Sequence, residues 1–240
     1  MEHAEVLPVT ELLDERRHLL EVACGMLGGS GAAESVVGDT YRRWYGLSEA
    51  ERAEASTPRN WLTKTVGEIC LSLLAHPRPG GSSVVGRPEA ECVELADRAR
   101  HSVRMRRSRS TSPAEHDLLA RTVREACANE DAELLESLLC PDATAFFDGG
   151  GKVRAPTGPV HGSRHVARGL LVLLARHPRT TLTAQSVNGR TGLVAHYDRE
   201  AAAVISFDVA AQHVAQVWIV LNPDKLRSWK HLPAPGDRGS

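Results

Sequence analysis

Residues 180–221 read TTLTAQSVNGRTGLVAHYDREAAAVISFDVAAQHVAQVWIVL. Four runs with strand character, 180–188, 191–197, 202–209 and 213–221, are separated by Asn188-Gly189-Arg190, Asp198-Arg199-Glu200 and Ala210-Ala211-Gln212. Asn-Gly between β-rich segments is a strong hairpin signal, because both residues tolerate the positive φ of a two-residue turn. The stretch predicts a meander of long antiparallel strands. Alternation within Val204-Ile205-Ser206-Phe207-Asp208 puts Ser206 and Asp208 on one face and Ile205, Phe207 and Val209 on the other.

Upstream of the meander, residues 161–176 carry a helical stripe of Val166, Leu170, Leu173 and Leu174. Ala143–Asp148 reads as a strand, and Gly149–Gly151 as a tight turn. A helical pair near 114–128 and 131–139 precedes them. Helices followed by an antiparallel meander make residues 114–230 an α+β domain, a curved sheet wrapped on helices that commonly encloses a pocket. Residues 231–240, rich in Pro and Gly, are expected to form a flexible tail.

Residues 1–76 have a different character. Leu12, Leu19, Leu20, Ala23, Met26 and Leu27 recur at the spacing of one buried helix face. Gly28-Gly29-Ser30-Gly31 breaks that helix, and Ser30 or Gly31 can cap a second one carrying Val36, Val37, Tyr41 and Trp44. Pro58 opens a third, with Trp61, Leu62, Val66, Ile69 and Leu73. Three helices on one small core result, with seven Lys or Arg against twelve Asp or Glu, a local net of −5. Residues 77–113 read as a linker interrupted by one helix, about Pro88 to Met105, which ends in six arginines within twelve residues, including Arg98, Arg100 and Arg104. That run can hold phosphates electrostatically or serve as a solvated tether.

Composition narrows the function classes. A net charge of −1 and a pI near 6.8 exclude a uniformly basic nucleic-acid binder, though not a local patch. Five dispersed cysteines with no C-x-x-C pair argue against a disulfide framework or a structural zinc site. Cys24, Cys70 and Cys140 lie among apolar residues and read as core. No apolar run approaches a membrane span and the N-terminus lacks an apolar signal region, so a cytoplasmic chain without membrane association is expected.

Residues 23–45, a Met-Leu-Gly turn followed by an acidic helix ending in Arg43-Trp44, resemble region 2 of bacterial extracytoplasmic-function sigma factors. Pro58-Arg59-Asn60-Trp61-Leu62 resembles the segment that opens the next helix there. The C-terminal domain resembles the SnoaL-like domain, a cone-shaped α+β barrel, fused to one class of these factors. That class is marked by a turn found here as Asp148-Gly149-Gly150-Gly151-Lys152 and by an ending found here as Asn222-Pro223-Asp224-Lys225-Leu226. The resemblance implies core RNA polymerase as partner, with Glu34, Asp39, Arg42 and Arg43 as contact candidates on the second helix. The two motifs are expected to be structural or interdomain.

The chain also departs from that pattern. Between 76 and 113 there is room for one helix, resembling the recognition helix of region 4 without its scaffold. Its first turns carry Glu89, Glu91, Glu94 and Asp97, which oppose a phosphate field. The basic stretch expected after Leu74 is replaced by His76-Pro77-Arg78-Pro79. Nucleic-acid contacts reduce to Arg59, Lys64 and the arginines 98, 100 and 104, with Trp61 read as core. Promoter binding is expected to be weak or absent.

Two functions stand at this point. The first is an atypical sigma-like transcription regulator that binds core polymerase through its N-terminal helices and is regulated by the C-terminal domain. The second is a SnoaL-like cyclase or isomerase, or a ligand sensor, with a small molecule in the C-terminal pocket. Its acid/base candidates are Asp208, His161 and Asp148, with His196 and His213 as further titratable groups. Asp148 before Gly149 also suits plain turn chemistry. His161 and His165 have ligand spacing at a helix start but no third ligand, so neither metal nor cofactor is expected.

Overall fold

The computed structural model describes residues 6–55, 57–76 and 111–229. The helix read at 88–105, the arginines 98, 100 and 104, Cys92 and the tail 231–240 lie outside the described residues. The architecture is a helical N-terminal part followed by an α+β part.

Helices α1 (Val9–Leu27), α2 (Ser30–Gly46), α3 (Glu49–Glu54) and α4 (Pro58–Ala75) come first. Gly28, with φ of 71°, ends α1 in the left-handed cap that glycine accepts at least cost. Helix α2 is capped by Gly29 without a side-chain bond, so neither Ser30 nor Gly31 fills the role the sequence offered them. Both lie inside the first turn. Ser48 and Glu51 close a capping box on α3, and Thr57 caps α4 ahead of Pro58. The core of this part joins Leu19 and Ala23 to Val36, Val37, Tyr41, Trp44, Leu62, Val66, Ile69 and Cys70.

The α+β part contains α5 (Pro113–Asn129), α6 (Ala132–Ser137), β1 (Leu139–Asp148), β2 (Val160–His161), α7 (Ser163–Leu173), β3 (Thr180–Val187), β4 (Arg190–Tyr197), β5 (Glu200–Ala210), β6 (His213–Val220) and a short α8 (Pro223–Leu226). The sheet order is β2-β1-β6-β5-β4-β3, antiparallel except where β1 runs parallel to β6. His161 lies in β2, not at a helix start: α7 begins at Ser163 behind Gly162, whose φ of 90° separates strand from helix. One sheet face, with Leu193, Ala195, Ile205, Phe207, Val217 and Ile219, packs on α5 and α7 to form the main core.

All three meander turns have two central residues at positive φ, the geometry that follows strand twist. Asn188-Gly189 suits it. Ala211 and Gln212, at φ of 50° and 67°, do not. Ala211→Asn with Gln212→Gly is expected to raise stability by about 1 kcal/mol, read as a melting point roughly 2–4 °C higher.

Helix α1 serves two cores. Val9 and Leu12 belong to the cluster of the α+β part, with Val6, Leu7 and Leu13 packed against it. Leu19 and Ala23 belong to the helical cluster. Val6 reaches Gly169 on α7, its methyl lying 3.6 Å from where a Cβ would stand. Between these two apolar halves sit Glu15 and Arg16, both buried.

Candidate functional site

Helix α2 faces its core with Val36, Val37, Tyr41 and Trp44, which turns Arg42 and Arg43 to solvent. Arg42 pairs with Asp39 at 2.6 Å within the helix, and Arg43 makes no ion pair among the described residues. Glu34 is engaged differently: the Arg16 guanidinium meets its carboxylate at 2.5 Å. Of the four contact candidates, Asp39, Arg42 and Arg43 form one open, charged face. Glu34 belongs to an internal contact between α1 and α2.

On α4, Arg59 and Lys64 are exposed, and Lys64 lies 3.8 Å from Glu68. Trp61 is half-buried against the helical core, its ring 5.3 Å from Trp44 at 60°. It fills space between α2 and α4, and is not a free platform for an unstacked base.

The two motif segments lock into each other. Asp148 accepts the Gly150 N–H at 3.0 Å and pairs with Lys225 at 2.6 Å. Lys152 pairs with Asp224 at 2.5 Å, completing a reciprocal cross-link. Gly150, at φ of 59°, lies so close to Asn222 that a Cβ there would stand 2.1 Å from the amide nitrogen. Buried Asn222 in turn accepts the Asp224 N–H and caps α8. Asp148 is therefore a turn and ion-pair residue.

The loop that follows carries this lock onto the helices. The Tyr45 hydroxyl donates to the Val153 carbonyl at 2.6 Å and accepts the Ala155 N–H at 2.9 Å. Arg154 holds Glu15 at 2.7 Å, and Tyr41 donates to the same carboxylate at 3.2 Å. Burial, then the Glu15 charge, pushes the Tyr41 phenol upward, while burial raises that of Tyr45 against the opposing Ala155 hydrogen bond and Arg154 charge. A second contact lies at the β4–β5 hairpin. The Tyr197 hydroxyl donates to the Asp14 carboxylate at 3.0 Å, Arg179 pairs with Asp198 at 2.8 Å, and Arg17 and Arg179 both approach the Tyr197 ring. Burial and the Asp14 carboxylate raise the Tyr197 phenol, so it remains the donor at neutral pH.

The lock also titrates. The Lys152 ammonium holds Asp224 below the ordinary carboxylate range. A depressed folded value gives stability that is complete above that range and is lost as pH falls through the folded value. Lys152→Met is expected to lower the neutral plateau slightly while leaving stability at the acid end unchanged, so that the acid limb below about pH 4 flattens, measured by urea unfolding across pH.

The acid/base candidates Asp208, His161 and Asp148 lie on the sheet face turned away from the main core, Asp208 and His161 in one cross-strand row with Gln216 and Thr144 between them. Ser206 and Asp208 face away from the main core, and Asp208 accepts the Trp218 indole N–H at 3.3 Å beside the stacked Phe146. His161 is exposed on β2 with its Nδ1 3.2 Å from the Thr144 hydroxyl, and His213 is exposed at a turn. His196 is buried without a hydrogen-bond partner among the described residues, and burial lowers its pKa. Among the described residues no group of three His, Cys, Asp or Glu could hold a metal ion.

Sequence reasoning missed the Glu15–Arg154 and Asp14–Tyr197 contacts, and buried His116, whose Nε2 lies 3.2 Å from the Phe207 carbonyl. Part of the signal was present. Glu15 and Arg16 fall on the inner stripe between Leu12 and Leu19, where a solvated charge does not belong.

No family profile matches the chain. The extracytoplasmic-function RNA polymerase sigma factor SigJ of Mycobacterium tuberculosis is 25% identical, with 92% of this chain and 93% of SigJ covered. The chain is homologous to this sigma factor. The SigI sigma factor of the same organism is 27% identical over 146 residues, 60% of this chain and 48% of SigI. The chain thus spans about half the length of the SigI relatives it matches. The SigJ crystal structure aligns with a TM-score of 0.40 at 24% identity, over 90% of this chain and 97% of that one. An NTF2-like protein of unknown function from Mesorhizobium loti aligns at 0.37 and 11% identity, over 48% and 96%. In this sigma-factor homologue no described helix is long and apolar enough to cross a membrane.

Proposed function

We propose that the chain is an atypical sigma-like transcription regulator that binds core RNA polymerase through residues 1–76, with residues 114–230 regulating that contact. The observation that carries this reading is the similarity to a sigma factor along 92% of the chain. The open charged face of α2, with Asp39, Arg42 and Arg43, supplies a surface for it. The contribution of DNA is small in this reading. Arg59 and Lys64 are the exposed cations considered on α4, Lys64 is partly neutralised by Glu68, and Trp61 is spent on packing.

The α+β part acts as a fixed attachment in this scheme, because the motif loops grip α1 and α2 through Tyr45, Arg154 and Lys152. The enzymatic reading has less support: Asp208, His161 and Asp148 share one sheet face, but Asp208 and His161 are separated by β6 and β1, and Asp148 is held by the Gly150 N–H and Lys225.

The test is capture of purified core RNA polymerase by the full chain at physiological ionic strength. The wild type is expected to retain polymerase, and Arg42→Glu with Arg43→Glu to weaken capture at least about tenfold without lowering the melting point. Asp208→Asn and His161→Ala are expected to leave capture unchanged. No capture by the wild type, or capture indifferent to the double reversal, would overturn the proposal.

A further inference from the structure

A cleft of about 490 Å³ lies between the C-terminal ends of α5 and α7 and the start of β3. Its size falls within the range of small-molecule sites, about 300–1,000 Å³. Cys127, Leu174 and Leu182 give it an apolar wall. Burial pushes the Cys127 thiol up to about 12, so that wall carries no thiolate at neutral pH. The polar side chains on its lining are those of Arg176, His177 and Thr180. The Thr180 hydroxyl oxygen is buried and has no hydrogen-bond partner among the described residues. Arg176 spends its backbone N–H on Glu130 at 3.3 Å, while its guanidinium makes no ion pair among the described residues. An apolar wall edged by an exposed guanidinium without an ion-pair partner among the described residues suits a carboxylate on an apolar body.

The segment that edges the cleft also grips α1. The His177 ring meets Tyr197 edge-on, at 5.6 Å and 69°. Arg179 donates to the Tyr197 hydroxyl and pairs with Asp198, and Tyr197 in turn donates to Asp14 on α1. Two residues that contact Tyr197 therefore flank Pro178, on the segment that also carries Arg176.

We propose that this cleft binds a small monocarboxylate with an apolar body, and that His177 and Arg179 transmit its occupancy through Tyr197 to Asp14 on α1. The regulatory meaning rests on the polymerase-binding reading. The binding itself does not.

The probe is 8-anilinonaphthalene-1-sulfonate, an apolar body with one anionic head, titrated into the full chain and competed with decanoate. Saturable one-to-one fluorescence that decanoate reverses is expected. Arg176→Glu should weaken it about tenfold, and Ala175→Trp, which fills the cleft, should abolish it. Should Ala175→Trp fail to fold, Leu182→Phe is the milder filling. At saturation, hydrogen exchange of the α1 amides should change by about fivefold in the wild type and stay fixed in Arg179→Ala. Absence of saturable binding, or binding indifferent to both Arg176→Glu and the filled cleft, would overturn the site. Binding that leaves α1 exchange unchanged would overturn the transmission. Neither readout involves polymerase, so failure of the sigma-like reading would be told apart by intact fluorescence and exchange results.

Discussion

Arg154→Met is expected to lower the unfolding free energy by about 3–5 kcal/mol, because it leaves a buried carboxylate without its cation. The Glu15 side chain is 2% exposed and Arg154 16%, at 2.7 Å. Glu15 sits in the middle of α1, so no small movement returns it to water, and the Tyr41 hydroxyl alone cannot balance the charge. The pair itself need not be strongly stabilising. Glu15→Leu with Arg154→Met should therefore recover most of the loss, since replacing both partners by apolar groups removes the stranded charge. Urea unfolding of the two single variants and the double variant measures the coupling. A loss below about 1 kcal/mol for Arg154→Met would mean that water reaches the pair and screens it as at a surface.

Leu12→Ala and Leu19→Ala should each cost about 2–5 kcal/mol, the range for emptying a packed leucine site. The two leucines are 2% and 0% exposed and lie two turns apart on α1, yet in different cores. Because one helix is common to both, either substitution should lower a single unfolding transition sensed equally by the helical and the sheet signals. Two separated transitions, each moved by only one substitution, would show that the parts unfold independently. By the same logic, residues 1–76 in isolation would leave Val9 and Leu12 without the surface that covers them.

Local signals reported the sheet well. The four strand runs and the Asn188-Gly189 turn match β3 to β6 within a few residues, because alternation and turn chemistry are written in adjacent positions. The alternation that set Ile205 and Phe207 opposite Asp208 holds as well. The short β2 did not show, because two residues between Pro159 and Gly162 carry no period. The parallel pairing of β1 with β6 and the Glu15–Arg154 contact also escaped. They join segments separated by 70 residues or more, and no local rule links them. The exposed charges of α2 could be named from the helical period. That Glu34 is claimed by Arg16, and is less available to a partner than Arg43, depends on how α1 crosses α2.

These contacts give the molecule one organising helix. Helix α1 is buried at one end in the α+β core and at the other in the helical core, with Glu15 and Arg16 clamped to the motif loops between them. The outer face of α2 stays open. Under the proposed function, polymerase contact falls on that one side of the molecule. The most direct test places a photo-crosslinking amino acid at position 43 on α2 or at position 168 on the exposed side of α7, in the full chain mixed with core RNA polymerase. Crosslinks to polymerase from position 43 and none from position 168 are predicted. Crosslinking from position 168 alone, or from neither, would contradict it.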